Sequence, residues 1–298
     1  MRRDNAPKIG RLAVIVALST LATAAPVIAQ PMYGSTNNRV TGAVGAVGIV
    51  DQTTGVFSLI GDPTPDDDVL AGIDFNSFGQ LYGVDNPSGA SNPSVLIRIN
   101  PSTGGLDAAI GTVTDSVSTD GVRITDLAFQ PATDVLFGIS QDGMLYRIST
   151  ATAVATLVGD TTLGSFSHGL GFASGGTLYA TSSGTLAQLD PTTGLPLSTV
   201  ALTGPCIDGL GVRPSDGVLF GTECDGNSVQ RIDPTTGVET FIGPADSEAP
   251  DTTDLAFLRP AVQAPAVSGR GLAGVGALLL ICGALLQRRR ARTASPST

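Results

Sequence analysis

The stretch Ser228 to Gly243 reads as a strand, a tight turn and a second strand, and the chain contains it more than once. Leu186 to Gly204 carries Gln-Leu-Asp-Pro-Thr-Thr-Gly, Val95 to Gly111 carries Arg-Ile-Asn-Pro-Ser-Thr-Gly, and Gly48 to Gly61 carries Ile-Val-Asp-Gln-Thr-Thr-Gly. A weaker copy is Leu145 to Gly159. A unit recurring at a fixed period sets the architecture before any single residue is interpreted, because one such unit cannot bury its apolar faces alone.

The fullest unit predicts four short strands: Leu210 to Val212, Val218 to Gly221, Ser228 to Ile232 and Val238 to Ile242. Three turns separate them: Arg213 to Gly217, Asp225 to Asn227 and Asp233 to Gly237. In the last, Asp233 accepts backbone hydrogen bonds, Pro234 fixes φ, and Gly237 takes the left-handed conformation that ends a three-residue hairpin loop. The same order runs through Ile124 to Gly159, Gly169 to Gly204 and Gly72 to Gly111. The closing glycines Gly61, Gly111, Gly159, Gly204 and Gly243 fall about forty to fifty residues apart, the blade spacing of a β-propeller.

The ends of the repeat region complement each other. Met32-Tyr33-Gly34 matches the second strand Leu81-Tyr82-Gly83, so the first repeat lacks an inner strand. Asp254-Leu255-Ala256-Phe257 matches an inner strand with nothing after it. The last strand therefore supplies the missing one, and the expectation is an all-β fold, a five-bladed β-propeller closed by its C-terminal strand, with no open edge at the ring closure. A sandwich of the same strands predicts no such complementary ends. The repeats resemble the YVTN class of bacterial propeller repeats, whose blades carry Ile-Asp, a Thr-Gly turn and a strand closing in Gly. Val229 to Gly243 is the best match. The resemblance implies a secreted propeller and no particular chemistry.

Residues 1–29 read as a signal peptide: Arg2, Arg3, Lys8 and Arg11, the apolar run Leu12 to Val27, then Val27-Ile28-Ala29 for cleavage. The alternative is an uncleaved anchor helix. Residues 30–260 form the expected propeller, 261–270 a linker and sorting motif, 271–287 a transmembrane helix and 288–298 a basic cytoplasmic tail. Arg288, Arg289, Arg290 and Arg292 place that tail inside by the positive-inside rule. The apolar run is short against the usual count of about twenty. Pro265, Ser268 and Gly271, the helix and the arginines resemble the IPTL-CTERM form of the PEP-CTERM sorting segments, with Ala-Pro-Ala-Val in place of Ile-Pro-Thr-Leu. The resemblance implies export, a sorting protease or export machinery as partner, and release or re-anchoring after cleavage. The expected address is the periplasmic or cell-surface side of the inner membrane.

Between the two ends, residues 31–260 hold 22 aspartates and 3 glutamates against 7 arginines and no lysine, a net charge of −18. Such a surface repels nucleic acid and anionic headgroups. It suits cations, Ca²⁺ first, although aspartate also gathers wherever hairpin turns are numerous. Of three cysteines, Cys282 lies in the apolar run. Folding Ile207 to Glu223 about Ser215 sets 213 opposite 217, 210 opposite 220 and Cys206 opposite Cys224, which predicts a cross-strand disulfide in an oxidising compartment. The alternative, a metal pair, lacks a nearby third ligand.

Inner strands line a propeller's channel, and aligning them isolates the positions where chemistry can sit. They read Ala71 to Phe75, Thr125 to Phe129, His168 to Phe172, Asp208 to Val212 and Thr253 to Phe257. The third column is Ile or Leu, hence core. Asp126, His168, Asp208 and Asp254 occupy the first two columns, near one mouth, and Asp74 breaks an Ala/Gly fourth column. These five are the candidate ligand or metal site, for Ca²⁺ through oxygen or a transition metal with His168. The competing reading is that such aspartates hold the backbone of neighbouring blades. Asp66 to Asp68 and Asp115 to Asp120 are secondary acidic loops.

No Gly-x-Ser-x-Gly elbow, His-Glu-x-x-His pair or phosphate loop occurs, and with one histidine a Ser-His-Asp triad would depend wholly on His168. The lack of tryptophan argues against an aromatic cofactor platform. The expectation is a non-catalytic surface or extracellular binding or scaffold protein, engaging matrix or a protein partner. The alternative is a metal-dependent hydrolase of the lactonase kind at the channel mouth.

Overall fold

The computed structural model describes residues 30–37, 44–64, 68–87, 92–165, 169–224, 228–244 and 252–259. The expected signal peptide, His168, Asp66 and Asp67, the sorting motif with Pro265, Ser268 and Gly271, and the C-terminal helix lie outside them. Among the described residues no helix is long and apolar enough to cross a membrane.

Five antiparallel sheets form a ring. Blade I joins Met32–Thr36, Val47–Val50 and Phe57–Gly61 to the inner strand Thr252–Phe257 from the far end of the chain. Tyr33 pairs with Ala256 and Gly34 with Leu255, the strand exchange expected from the complementary ends. Blade II comprises Val69–Phe75, Leu81–Asn86, Val95–Ile99 and Leu106–Thr112, and blade III Ile124–Phe129, Leu136–Ser140, Met144–Ile148 and Val154–Asp160. Blade IV comprises Leu170–Phe172, Leu178–Ser182, Thr185–Leu189 and Pro196–Ala201, and blade V Ile207–Val212, Leu219–Glu223, Ser228–Ile232 and Glu239–Pro244. A two-residue strand, Thr114–Asp115, adds in parallel to the outer edge of blade III and has no counterpart in the sequence repeat. Inner strands start at the upper mouth of the channel and end at the lower mouth.

The core lies between blades. The aromatic residue of a second strand meets the aromatic residue that ends the next inner strand: Tyr33 with Phe75, Tyr82 with Phe129, Phe137 with Phe172 and Phe220 with Phe257, at ring separations of 5.0 to 5.5 Å. At the fourth junction Tyr179 clusters with Val212 instead. Edge-on aromatic contact at the first three of these pairs adds to the burial that drives the junctions.

The repeated turn has a second role beyond ending a hairpin. Asp51, Asn100, Asp190 and Asp233 each accept hydrogen bonds from backbone N–H groups two and three residues on, and Gly55, Gly104, Gly194 and Gly237 have φ of 67 to 80°. These turns then dock on the outer strand of the preceding blade. Gly61 lies against Thr103 and Gly104, Gly159 against Thr193 and Gly194, and Gly243 against Thr54 and Gly55. A Cβ there would fall inside the contact distance of backbone, so the glycine that closes the repeat is an inter-blade contact. Gly204 does not play this part: it sits past its strand beside Glu239, and Ala201 meets Gly237 in its place.

The Cys206–Cys224 disulfide forms, with Cα atoms 5.4 Å apart. The expected register was one residue off through the hairpin body, where Gly211 faces Phe220 and Leu210 faces Gly221. The turn spans Arg213 to Val218, and a β-bulge between Ile207 and Gly209 absorbs the difference, so that Cys224 N–H reaches Cys206 C=O at 2.9 Å.

Two outcomes follow. Gly159→Val should lower the thermal midpoint by several degrees, an overpacking cost of about 1–3 kcal/mol, whereas Gly175→Ala, whose Cβ meets nothing within 4 Å, should leave it unchanged in calorimetry. Replacing both Cys206 and Cys224 by Ala should cost about 3 kcal/mol in denaturant unfolding, as expected for closing a loop of this length.

Candidate functional site

The bulge at Asp208 is one of a set. Register shifts of the same kind fall at Ala71, Thr125 and Thr253 in blades II, III and I. A bulge leaves one residue unpaired and re-aims its side chain. All four line a polar cavity of about 210 Å³ at the upper mouth, with Asn86, Arg123 and Gln141. Arg123 and Gln141 also line an adjoining cleft of about 520 Å³, bounded by Asp115, Asp120, Asp142 and Tyr146. The Arg123 guanidinium donates to the carbonyls of Pro87 and Asn92, and burial pushes its pKa down. Asp115 is held by its own loop, accepting from Val117 and Ser118 N–H, which lowers its pKa.

The second column lies deeper, and there the backbone has taken the carboxylates. Asp126 is fully buried; it accepts from Leu127 N–H at 2.6 Å and, across the junction, from Leu170 N–H at 2.5 Å. Asp254 accepts from Ile73 N–H at 2.7 Å and Leu210 N–H at 3.1 Å, bridging blade I to both neighbours. The two carboxyls hydrogen-bond to each other. They stand on blades I and III and meet across Gly72 of blade II, whose Cβ would lie 2.7 Å from the Asp126 Cα. Burial, then the Asp254 charge, raises Asp126 well above the carboxylate range, and burial pushes Asp254 up to about 7. Burial is the first cause at both, and at Asp126 the neighbouring carboxyl adds to it.

Asp74, in the fourth column, sits near the lower mouth. It accepts from Phe75 N–H at 2.8 Å and Phe129 N–H at 2.7 Å and pairs with Arg259 at 3.0 Å. Burial raises its pKa despite Arg259. Arg259 also donates to the Phe129 carbonyl at 2.5 Å and narrows this end of the channel to a cavity of about 20 Å³. Hydroxyl and amide side chains tie further junctions: Thr181 to Ile207 C=O, Thr222 to Thr253 C=O, Thr253 to Leu70 C=O and Asn86 to Ile124 C=O, at 2.8 to 2.9 Å.

Of the four described sequence candidates, only Asp126 and Asp254 come together. Asp208 faces the upper cavity, Asp126 and Asp254 are sealed in the middle, Asp74 is at the lower end, and His168 is outside the described residues. Among the described residues no three His, Cys, Asp or Glu form a metal-holding group. Sequence reasoning missed Arg123, Gln141 and Arg259. Arg259 carried a signal, as the cation directly after the closing strand; Gln141 carried none.

The class defined by this geometry is a β-propeller repeat protein. Residues 124–253, from the inner strand of blade III to the start of the closing strand, match a repeat of unknown function, DUF6923. No curated protein matches the chain. Among solved structures, a chain of the nidogen/laminin complex is similar at 12% identity and a TM-score of 0.48, covering 77% of this chain and 98% of that one. A Bacteroides caccae protein of unknown function is similar at 9% identity and a TM-score of 0.48, covering 78% and 100%. Myxococcus xanthus glutaminyl cyclase is similar at 15% identity and a TM-score of 0.43, covering 63% and 70%. Likeness of this degree assigns no activity to the chain.

The buried pair gives a pH dependence. An unfolded Asp titrates near 4. Between that pH and about 7 the folded chain keeps a proton at Asp254 that the unfolded chain releases, so this pair's contribution to stability falls as pH rises through that window. Asp126→Asn keeps a donor toward Asp254 and removes one charge. Thermal midpoints of the two proteins, scanned from pH 4 to 8, should show a shallower decline for the variant.

Proposed function

We propose that this is an exported, non-catalytic propeller, tethered or sorted through residues 261–298, that serves as a binding or scaffold module outside the inner membrane. One observation carries the reading: the inner-ring carboxylates Asp74, Asp126 and Asp254, the best placed for metal or acid–base chemistry, each accept hydrogen bonds from the backbone of a neighbouring blade. Their removal threatens the ring before it threatens any reaction. The disulfide supports an oxidising compartment.

What remains for binding is the upper cavity and cleft, polar and open to solvent, with Asp208, Arg123 and Gln141 on their walls. Chelation followed by calcium titration should leave the thermal midpoint of the purified chain unchanged, and lactones, esters and phosphate esters should not turn over. A calcium-dependent activity abolished by Asp208→Asn, with the midpoint preserved, would replace this reading with the hydrolase.

A further inference from the structure

Both ends of the propeller leave it at the lower mouth. Gln30, ahead of the first strand, donates to the Leu258 carbonyl, and its own side-chain and main-chain oxygens accept from Ser215 N–H and the Gln52 amide on lower turns. The Arg259 side chain is fixed in the channel end by Asp74 and the Phe129 carbonyl, so the last described residue lies at the lower mouth. Residues 260–270 span about 40 Å at most when fully extended. An anchor beginning at Gly271 would keep the lower mouth within that reach of the bilayer.

Two further features distinguish the faces. The turn Asn76 to Gln80, packed against Leu258, carries Phe78 at 81% exposure, and aromatic side chains favour the lipid–water interface. Of the six described arginines, Arg98, Arg147, Arg213, Arg231 and Arg259 lie toward the lower ends of strands and Arg123 alone toward the upper. Among the described residues the upper rim sets eight aspartates, Asp115, Asp120, Asp142 and Asp208 among them, against that one arginine, while the lower side sets seven, from Asp51 to Asp233, against five. An anionic leaflet repels that rim more than the lower face.

We infer that the lower face rests against the lipid surface with Phe78 foremost, and that the upper cavity and cleft face away from the membrane. This rests on the reading of residues 271–287 as an anchor, and the test separates the two. The full chain carrying Cys282→Ser is labelled with a fluorophore through Ala132→Cys on a lower turn, or through Val117→Cys, at a site 90% exposed on the upper rim. Each is reconstituted in phosphatidylethanolamine/phosphatidylglycerol vesicles containing a quencher lipid. Loss of fluorescence at position 132 and none at 117, with the loss reduced by Phe78→Ser, is the expected result. Protein that floats with the vesicles but loses fluorescence equally at both positions, or more at 117, overturns the orientation. Quenching at 132 that is indifferent to Phe78→Ser overturns the role of that side chain. Protein that does not float with the vesicles overturns the anchor and the orientation with it.

Discussion

The inner strand of a propeller blade pairs with its own hairpin on one edge and faces the channel with the other, where no strand is close enough to complete a ladder. Its N–H and C=O groups on that edge are buried, and an unpaired buried backbone group is costly. Side chains complete them here. Asp74, Asp126 and Asp254 accept the N–H groups, while Thr181, Thr222, Thr253 and Asn86 supply donors to the carbonyls. Each of these bonds crosses from one blade to the next, so backbone satisfaction and ring closure are the same interaction.

That requirement explains the composition of the channel. A carboxylate long enough to reach a neighbouring strand needs space beside it, and Gly72 and Gly209 provide it: a Cβ on either would collide with the Cα of Asp126 or Asp254. Column two therefore reads Gly, Asp, Gly, Gly, Asp around the ring, an alternation set by packing. Two carboxyls in one enclosed layer cannot both ionise cheaply, and burial raises both. Asp74 avoids the same conflict with a cation, Arg259, brought by the residue that follows the closing strand.

Much of this was legible in order along the chain. The turn residues, the matching ends Met32-Tyr33-Gly34 and Asp254 to Phe257, and the repeat period specified the five-bladed ring because each depends on local backbone chemistry or on counting. Of the candidates, Asp74, Asp126, Asp208 and Asp254 do lie on inner strands. Their depth was not legible, because one residue of bulge at Asp208, Thr125, Ala71 and Thr253 decides whether a side chain enters the mouth cavity, and a bulge leaves no clear mark in a short strand. The same slip displaced the Cys206 hairpin register by one while leaving the disulfide in place.

By itself the sequence determined the class of fold, the number of blades, the closing strand and the pairing of Cys206 with Cys224. These follow from periodicity and turn stereochemistry, which act over a few residues and repeat. Only the tertiary structure decided what the aspartates do. Whether a carboxylate is a free ligand or a cap for a neighbour's N–H depends on groups some forty to two hundred residues away, such as Leu170 for Asp126 and Ile73 for Asp254. It also decided the use of the repeat's closing glycine, which marks a strand end in the sequence and in space admits the next blade's turn.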